Sequence, residues 1–144
     1  QLFLDILHEL ACADRTQVEL IGVQSSDSSF PHSRRINRIV QFVEKNYNRK
    51  ISLEDVGEQV GMSASSVSRF FKKRTRHNFW DYLNGFRIDR AAQMMIETEH
   101  TISEISYACG FNNISNFNRV FRERIGTTPS DYRNKFKESI IPDR

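Results

Sequence analysis

From residue 34 to residue 137 apolar side chains recur at intervals of three and four, the signature of helices that bury one face. Ile36, Ile39, Val40 and Val43 set a helix over 34–47. Shorter runs predict helices over 53–60 and over 64–75, the latter burying Val67, Phe70 and Phe71. Phe79, Leu83, Phe86, Met94 and Met95 lie on the inner side of a long helix over 78–97. Three more helices are predicted over 102–109, 114–125 and 129–137. Polar punctuation agrees with these bounds. Ser52-Leu53-Glu54-Asp55 and Thr101-Ile102-Ser103-Glu104 have the form of capping boxes, and Ser63 is placed as an N-cap. Gly61 and Gly126 supply turns, and Pro129 suits a first helical turn. Upstream, Leu2, Phe3, Ile6, Leu7, Leu10 and Ala11 make one face of a helix over 2–13. Residues 18–23 read as irregular, and 24–33, serine-rich with Pro31, as linker. No strand pattern competes, so the fold class is all-α.

The pattern also repeats itself. Ser52-Leu53-x-x-Val56-x-x-x-Val60-Gly61-Met62-Ser63 returns 49 residues later as Thr101-Ile102-x-x-Ile105-x-x-x-Cys109-Gly110-Phe111-Asn112. At an offset of 50, Val67-x-Arg69-Phe70-Phe71-Lys72 returns as Phe117-x-Arg119-Val120-Phe121-Arg122. Asp81-Tyr82 returns as Asp131-Tyr132. One supersecondary unit is used twice. Each copy is a short amphipathic helix, a glycine turn and a second helix with a basic outer face, which is a helix-turn-helix.

Charge sharpens this picture. Residues 1–33 carry one Arg against five acids, whereas 34–137 carry 19 Lys/Arg against 11 Asp/Glu, a net of +8. The surplus sits with the repeat and favours a polyanionic partner. Two cysteines, Cys12 and Cys109, make no disulfide framework. Cys109 shares its repeat position with Val60 and reads as a core residue. No apolar run reaches membrane-spanning length and no secretory leader is visible, so a cytoplasmic setting is expected. Gln1, in place of Met, predicts an excised or processed piece.

The outer faces carry the candidate chemistry. Setting aside its core positions, the 64–75 helix offers Ser65, Ser66, Ser68, Arg69, Lys72 and Lys73, with Arg76 after it. Short hydroxyls near a helix start can approach base edges, Arg can donate twice to guanine, and the cations behind can neutralise phosphates. The 114–125 helix offers Ile114, Ser115, Asn116, Asn118, Arg119 and Arg122; Asn can pair with adenine and Ile114 can meet a thymine methyl.

Phe111-Asn112-Asn113-x-Ser115-x-Phe117-x-Arg119-x-Phe121-Arg122-x-x-x-Gly126-x-Thr128-Pro129-x-x-Tyr132-Arg133 resembles the C-terminal signature of the AraC/XylS family of bacterial transcription regulators. Ile102-x-Glu104-Ile105-x-x-x-x-Gly110-Phe111 and Tyr82-Leu83-x-x-x-Arg87-Ile88 are similar to the same family. The resemblance covers residues 34–137. It implies seven helices, with two homeodomain-like helix-turn-helix subdomains joined by the long 78–97 helix. Two adjacent major-groove segments of promoter DNA would be bound, with bases read by Ser65, Ser68 and Arg69 in the first copy and by Ile114, Ser115, Asn116 and Arg119 in the second. Residues 1–14 are then expected to be the last helix of a missing N-terminal effector or dimerisation domain, 15–33 a linker and 138–144 a tail. RNA polymerase, a small-molecule effector and a second copy of the protein become the expected partners, in a regulator, activator included, at the bacterial nucleoid. The resemblance brings no cofactor and no metal. One departure stands out: where the family has a glycine after the first recognition helix, this chain has Arg76. Either that helix ends differently or Arg76 reaches a phosphate.

Two rivals are weaker. Cysteine-based alkyl transfer, known beside similar helix-turn-helix modules, needs an activated thiolate, and only His8 lies one helical turn from Cys12. His32, His77 and His100 read as loop or surface residues, so no enzyme is expected. A helical module with basic faces for an acidic protein partner is separated from the leading reading by sequence-dependent duplex binding.

Overall fold

The computed structural model of the chain describes residues 29–140. The helix expected over 2–13, Cys12 and the last four residues lie outside them. Seven helices and no strand occur among the described residues: α1 Ser29–Asn46, α2 Leu53–Val60, α3 Ala64–Thr75, α4 Phe79–Glu97, α5 Ile102–Ala108, α6 Ile114–Ile125 and α7 Pro129–Ile140.

The caps show why the helices start where they do. Ser52 Oγ accepts from the Asp55 N–H at 3.1 Å, while Asp55 Oδ2 accepts from the Ser52 N–H at 2.9 Å. Thr101 and Glu104 repeat this reciprocal pair at 3.2 and 2.7 Å. Each pair satisfies two backbone donors that have no partner inside the helix. These bonds to Ser52 and Thr101 also hold the Asp55 and Glu104 carboxyls below their ordinary range. Thr128 caps α7 with its hydroxyl, which accepts from the Asp131 N–H at 3.2 Å and donates to Asp131 Oδ2 at 2.7 Å.

α1 begins five residues ahead of its expected start, so residues 29–33 belong to a helix rather than to a linker. Pro31 is tolerated because the first-turn N–H groups have no intrahelical acceptor. His32, expected in a loop, stacks on Phe70 with ring centroids 5.9 Å apart, which pins the first turn of α1 to α3. Phe70 is accordingly half-buried rather than a core residue. α7 runs past its expected end at 137, and α5 ends one residue early with Cys109 as its C-cap.

Two apolar cores share α4. The first gathers Ile39, Val43, Val56, Val67 and Phe71 around Phe79 and Leu83 at the start of α4. The second gathers Ile105, Cys109, Phe111, Phe117 and Phe121 around Ile88, Ala91 and Met95 further along it. Tyr47 packs against both. Arg87, 9% exposed, sits at the junction. Its Nε donates to the Tyr47 carbonyl and its Nη2 to the Arg49 carbonyl, both at 2.8 Å. Its guanidinium also lies 5.8 Å from the centroid of Phe111. Gly110 closes the junction: its φ is +84°, and a Cβ there would stand 2.2 Å from the Tyr47 carbonyl oxygen.

Candidate nucleic-acid interface

The two turns are built alike. In the first, Met62 N–H donates to Gly57 O at 3.0 Å; in the second, Phe111 N–H donates to Ser106 O at 3.1 Å. These are equivalent residues of the repeat, and each bond turns the chain back over its short helix. Met62 and Phe111 then lean on their respective cores. As a result α3 and α6 start in the same way. Ser63 Oγ accepts from the Ser66 N–H at 3.3 Å, and Asn113 Oδ1 accepts from the Ser115 and Asn116 N–H groups at 2.7 and 3.2 Å.

The two helices also end alike. Gly126 has φ +85° and donates its N–H to Arg122 O at 2.9 Å. Arg76, φ +62°, donates to Lys72 O at 3.0 Å. The departure from glycine therefore leaves the helix ending unchanged, and the left-handed strain is carried by an arginine. The alternative of a different ending is corrected. Arg76 instead joins Arg69, Lys72 and Lys73 in lining one concavity on the outer side of α3.

Of the residues singled out on α3, Ser65, Ser68, Arg69, Lys72 and Lys73 are exposed. Ser66 is half-buried, and its hydroxyl accepts from Ser63 Oγ at 2.8 Å, so it serves the cap. On α6, Ser115, Asn116, Arg119 and Arg122 are exposed. Ile114 is half-buried against the second core and presents only part of its side chain. Arg119, Arg122 and Asn118 share a concavity with Glu123 and with Thr128, Pro129 and Ser130 at the start of α7.

Two residues at this surface and one buried behind it escaped the sequence reading. Glu123 accepts from Arg119 Nη1 through both carboxylate oxygens, at 2.8 and 2.9 Å. The i,i+4 spacing was the available signal. Arg124, in the last turn of α6, donates to the carbonyl of Asp81 in the first turn of α4 and so ties the second unit to the linker helix. Arg87, noticed only as part of a motif, is buried at the junction rather than displayed, and nothing in its local sequence distinguishes those two fates.

Among the described residues no group of three or more His, Cys, Asp or Glu is placed to hold a metal ion. Burial pushes the Cys109 thiol up to about 11, the opposite of an activated thiolate. No helix among the described residues is long and apolar enough to cross a membrane.

Comparison with known proteins bears on the family and the fold. A family described as a helix-turn-helix domain matches residues 56–135, more than half of the chain. The HTH-type transcriptional activator RhaS of Salmonella schwarzengrund is 28% identical over 107 residues, which cover 74% of this chain and 38% of that protein. The chain thus spans well under half the length of this relative. A Chromobacterium violaceum transcriptional regulator of the group with AraC-type DNA-binding domains superposes with a TM-score of 0.67 at 27% identity, covering 72% of this chain and 92% of its own. The DNA-binding domain of AdpA, solved in complex with a target DNA, has the same fold, with a TM-score of 0.69 at 19% identity over 74% of this chain and 96% of its own.

Proposed function

The chain belongs to the AraC/XylS-type family of helix-turn-helix transcription regulators, and from that premise we infer that it binds double-stranded promoter DNA with α3 and α6 in successive major grooves. The observation that carries this reading is the pair of equivalent helices, each capped alike, ended alike and flanked by a concavity to which it contributes exposed cations. Ser65, Ser68 and Arg69 read bases from α3. Ser115, Asn116 and Arg119 read them from α6, with Ile114 offering its exposed part to a thymine methyl. Lys72, Lys73, Arg76 and Arg122 neutralise phosphates, and Ser66 supports the start of α3.

Promoter control follows from the family, and recruitment of RNA polymerase is the mode that the activator name of the RhaS relative supports. A small-molecule effector and homodimerisation belong to the same proposal, as does a place at the bacterial nucleoid. Selection from a randomised duplex pool with the 144-residue chain tests it. The expected result is a motif with two half-sites about 10 base pairs apart. Enrichment of no motif, or equal retention of single strands, would overturn it.

A further inference from the structure

The two reading helices differ in what surrounds their equivalent arginines. Arg119 sits in a chain of three side chains along one face of α6. Its Nη1 donates to Glu123 Oε1 and Oε2 at 2.8 and 2.9 Å, and its Nη2 donates to Asn116 Oδ1 at 2.9 Å. All three residues are exposed, and Arg119 and Glu123 line the same concavity. Arg69 has Lys73 where Arg119 has Glu123, and Ser66 where it has Asn116. Arg69 has no ion-pair partner among the described residues, and its concavity is lined by cations alone.

We propose, resting on the reading of α6 as a base reader, that Glu123 is a positioning residue that holds the Arg119 guanidinium for a guanine while its own charge penalises unspecific duplex. A free arginine must surrender rotamer freedom to present its fork to the guanine acceptors. Arg119 has surrendered much of it before contact, since the carboxylate holds Nη1 and the Asn116 amide oxygen holds Nη2. Its Nε–H stays unengaged, and a shift about the Glu123 anchor presents a donor edge to O6 and N7. The same network restricts Asn116. With Oδ1 occupied it cannot offer the donor–acceptor pair that adenine requires, and only Nδ2 is left to donate. Both side chains then face a base edge made of acceptors. A carboxylate in a phosphate-facing concavity also repels any duplex that gives Arg119 no guanine in return, so Glu123 raises selectivity at some loss of overall grip.

The test uses the whole chain as wild type and as Glu123→Ala, Glu123→Gln and Arg119→Ala. Selection identifies the motif, and the position whose preference disappears in Arg119→Ala identifies the base that Arg119 reads. Each protein is then titrated with the selected duplex, with the same duplex carrying adenine at that position, and with an unrelated duplex. For Glu123→Ala the unrelated duplex is expected to bind more tightly. Its preference for guanine over adenine should fall roughly two- to tenfold, the range set by freezing one long side chain. Glu123→Gln, which keeps one acceptor oxygen, should retain part of that preference. An unchanged or sharper guanine preference in Glu123→Ala would overturn the proposal, as would a base other than guanine at the Arg119 position. A wild-type chain that selects no motif removes the base-reading role of α6 itself, an outcome distinct from the loss of Glu123's role alone.

Discussion

Among the described residues Arg76 is the one non-glycine with positive φ, and it stands where the second unit has Gly126. A left-handed conformation costs a side chain about 1 kcal/mol. Arg76→Gly should therefore stabilise the domain by about that amount in urea unfolding, and yet weaken DNA binding by removing a cation from the α3 concavity. Strain retained beside a cationic surface fits a residue kept for its charge. Gly61 and Gly110 make the complementary comparison. Both have positive φ, but a Cβ at Gly61 meets nothing within 4 Å while one at Gly110 meets the Tyr47 carbonyl at 2.2 Å. Gly61→Ala should cost about 1 kcal/mol, and Gly110→Ala at least about 3 kcal/mol, since overpacking adds to the strain. Equal losses would show that the Gly110 junction yields. Cys109 gives a pH effect. Its thiol titrates at about 11 rather than 9.0, so the folded state holds the proton more tightly than the unfolded state does. That contribution is complete below pH 9 and fades as pH rises toward 11. Replacement by valine, the residue at the equivalent position 60, should flatten the alkaline loss of stability seen in unfolding curves.

At the scale of elements, the helices whose ends carry local chemistry were legible to the residue. α2, α3 and α6 fall on their expected bounds: Ser52 and Ser63 write the starts of α2 and α3, and Gly61 and Gly126 write the ends of α2 and α6. The start of α1 was not legible. A serine-rich stretch with a proline has the composition of a linker, yet its residues 29–33 are helical here, with the Phe70 ring of α3 stacked on His32, 38 residues away in sequence. α4 raises the same difficulty in another form. Its apolar positions serve two cores in turn, so inward position alone does not tell a core residue from a junction residue such as Arg87. That side chain satisfies two carbonyls of the α1–α2 connection from the middle of α4. Arg87→Met keeps the bulk and orphans both acceptors, and should destabilise the domain by about 2–3 kcal/mol in chemical unfolding. A loss below about 0.5 kcal/mol would mean that water replaces the guanidinium.

For the molecule as a whole, the duplication could be read from the sequence and the inequality of its halves could not. The sequence assigns the basic surplus to the repeat in general, whereas among the described residues the cations without an ion pair concentrate on α3. On α6, Arg119 is engaged by Glu123 and Arg124 by the carbonyl of Asp81. With about six to ten phosphates neutralised, log affinity should fall against log salt with a slope of roughly −5 to −9. Lys72→Ala and Lys73→Ala should each flatten that slope on every duplex alike. Arg69→Ala and Arg119→Ala should each cost roughly 1–3 kcal/mol on the best site and relax one position only, and the two losses should nearly add. If Arg119→Ala changes neither affinity nor preferred sequence, the two-groove arrangement fails.

The linker helix has a metric consequence. α4 is a single unbroken rod of 19 residues, about 28 Å from end to end, with one core seated on its first half and the other on its second. Arg87 and Tyr47 brace the join, which opposes independent swivelling of the two units. On the proposed two-groove reading such a molecule behaves as a caliper with a set jaw, and the separation it accepts is one turn of the double helix. Inserting a single base pair between the half-sites advances the second by about 3.4 Å and rotates it by roughly 35°, and a caliper cannot follow both movements. Binding should collapse with the first inserted pair and stay lost at five, where the second half-site faces away. A hinged pair of readers would instead tolerate one or two added pairs with a gradual loss.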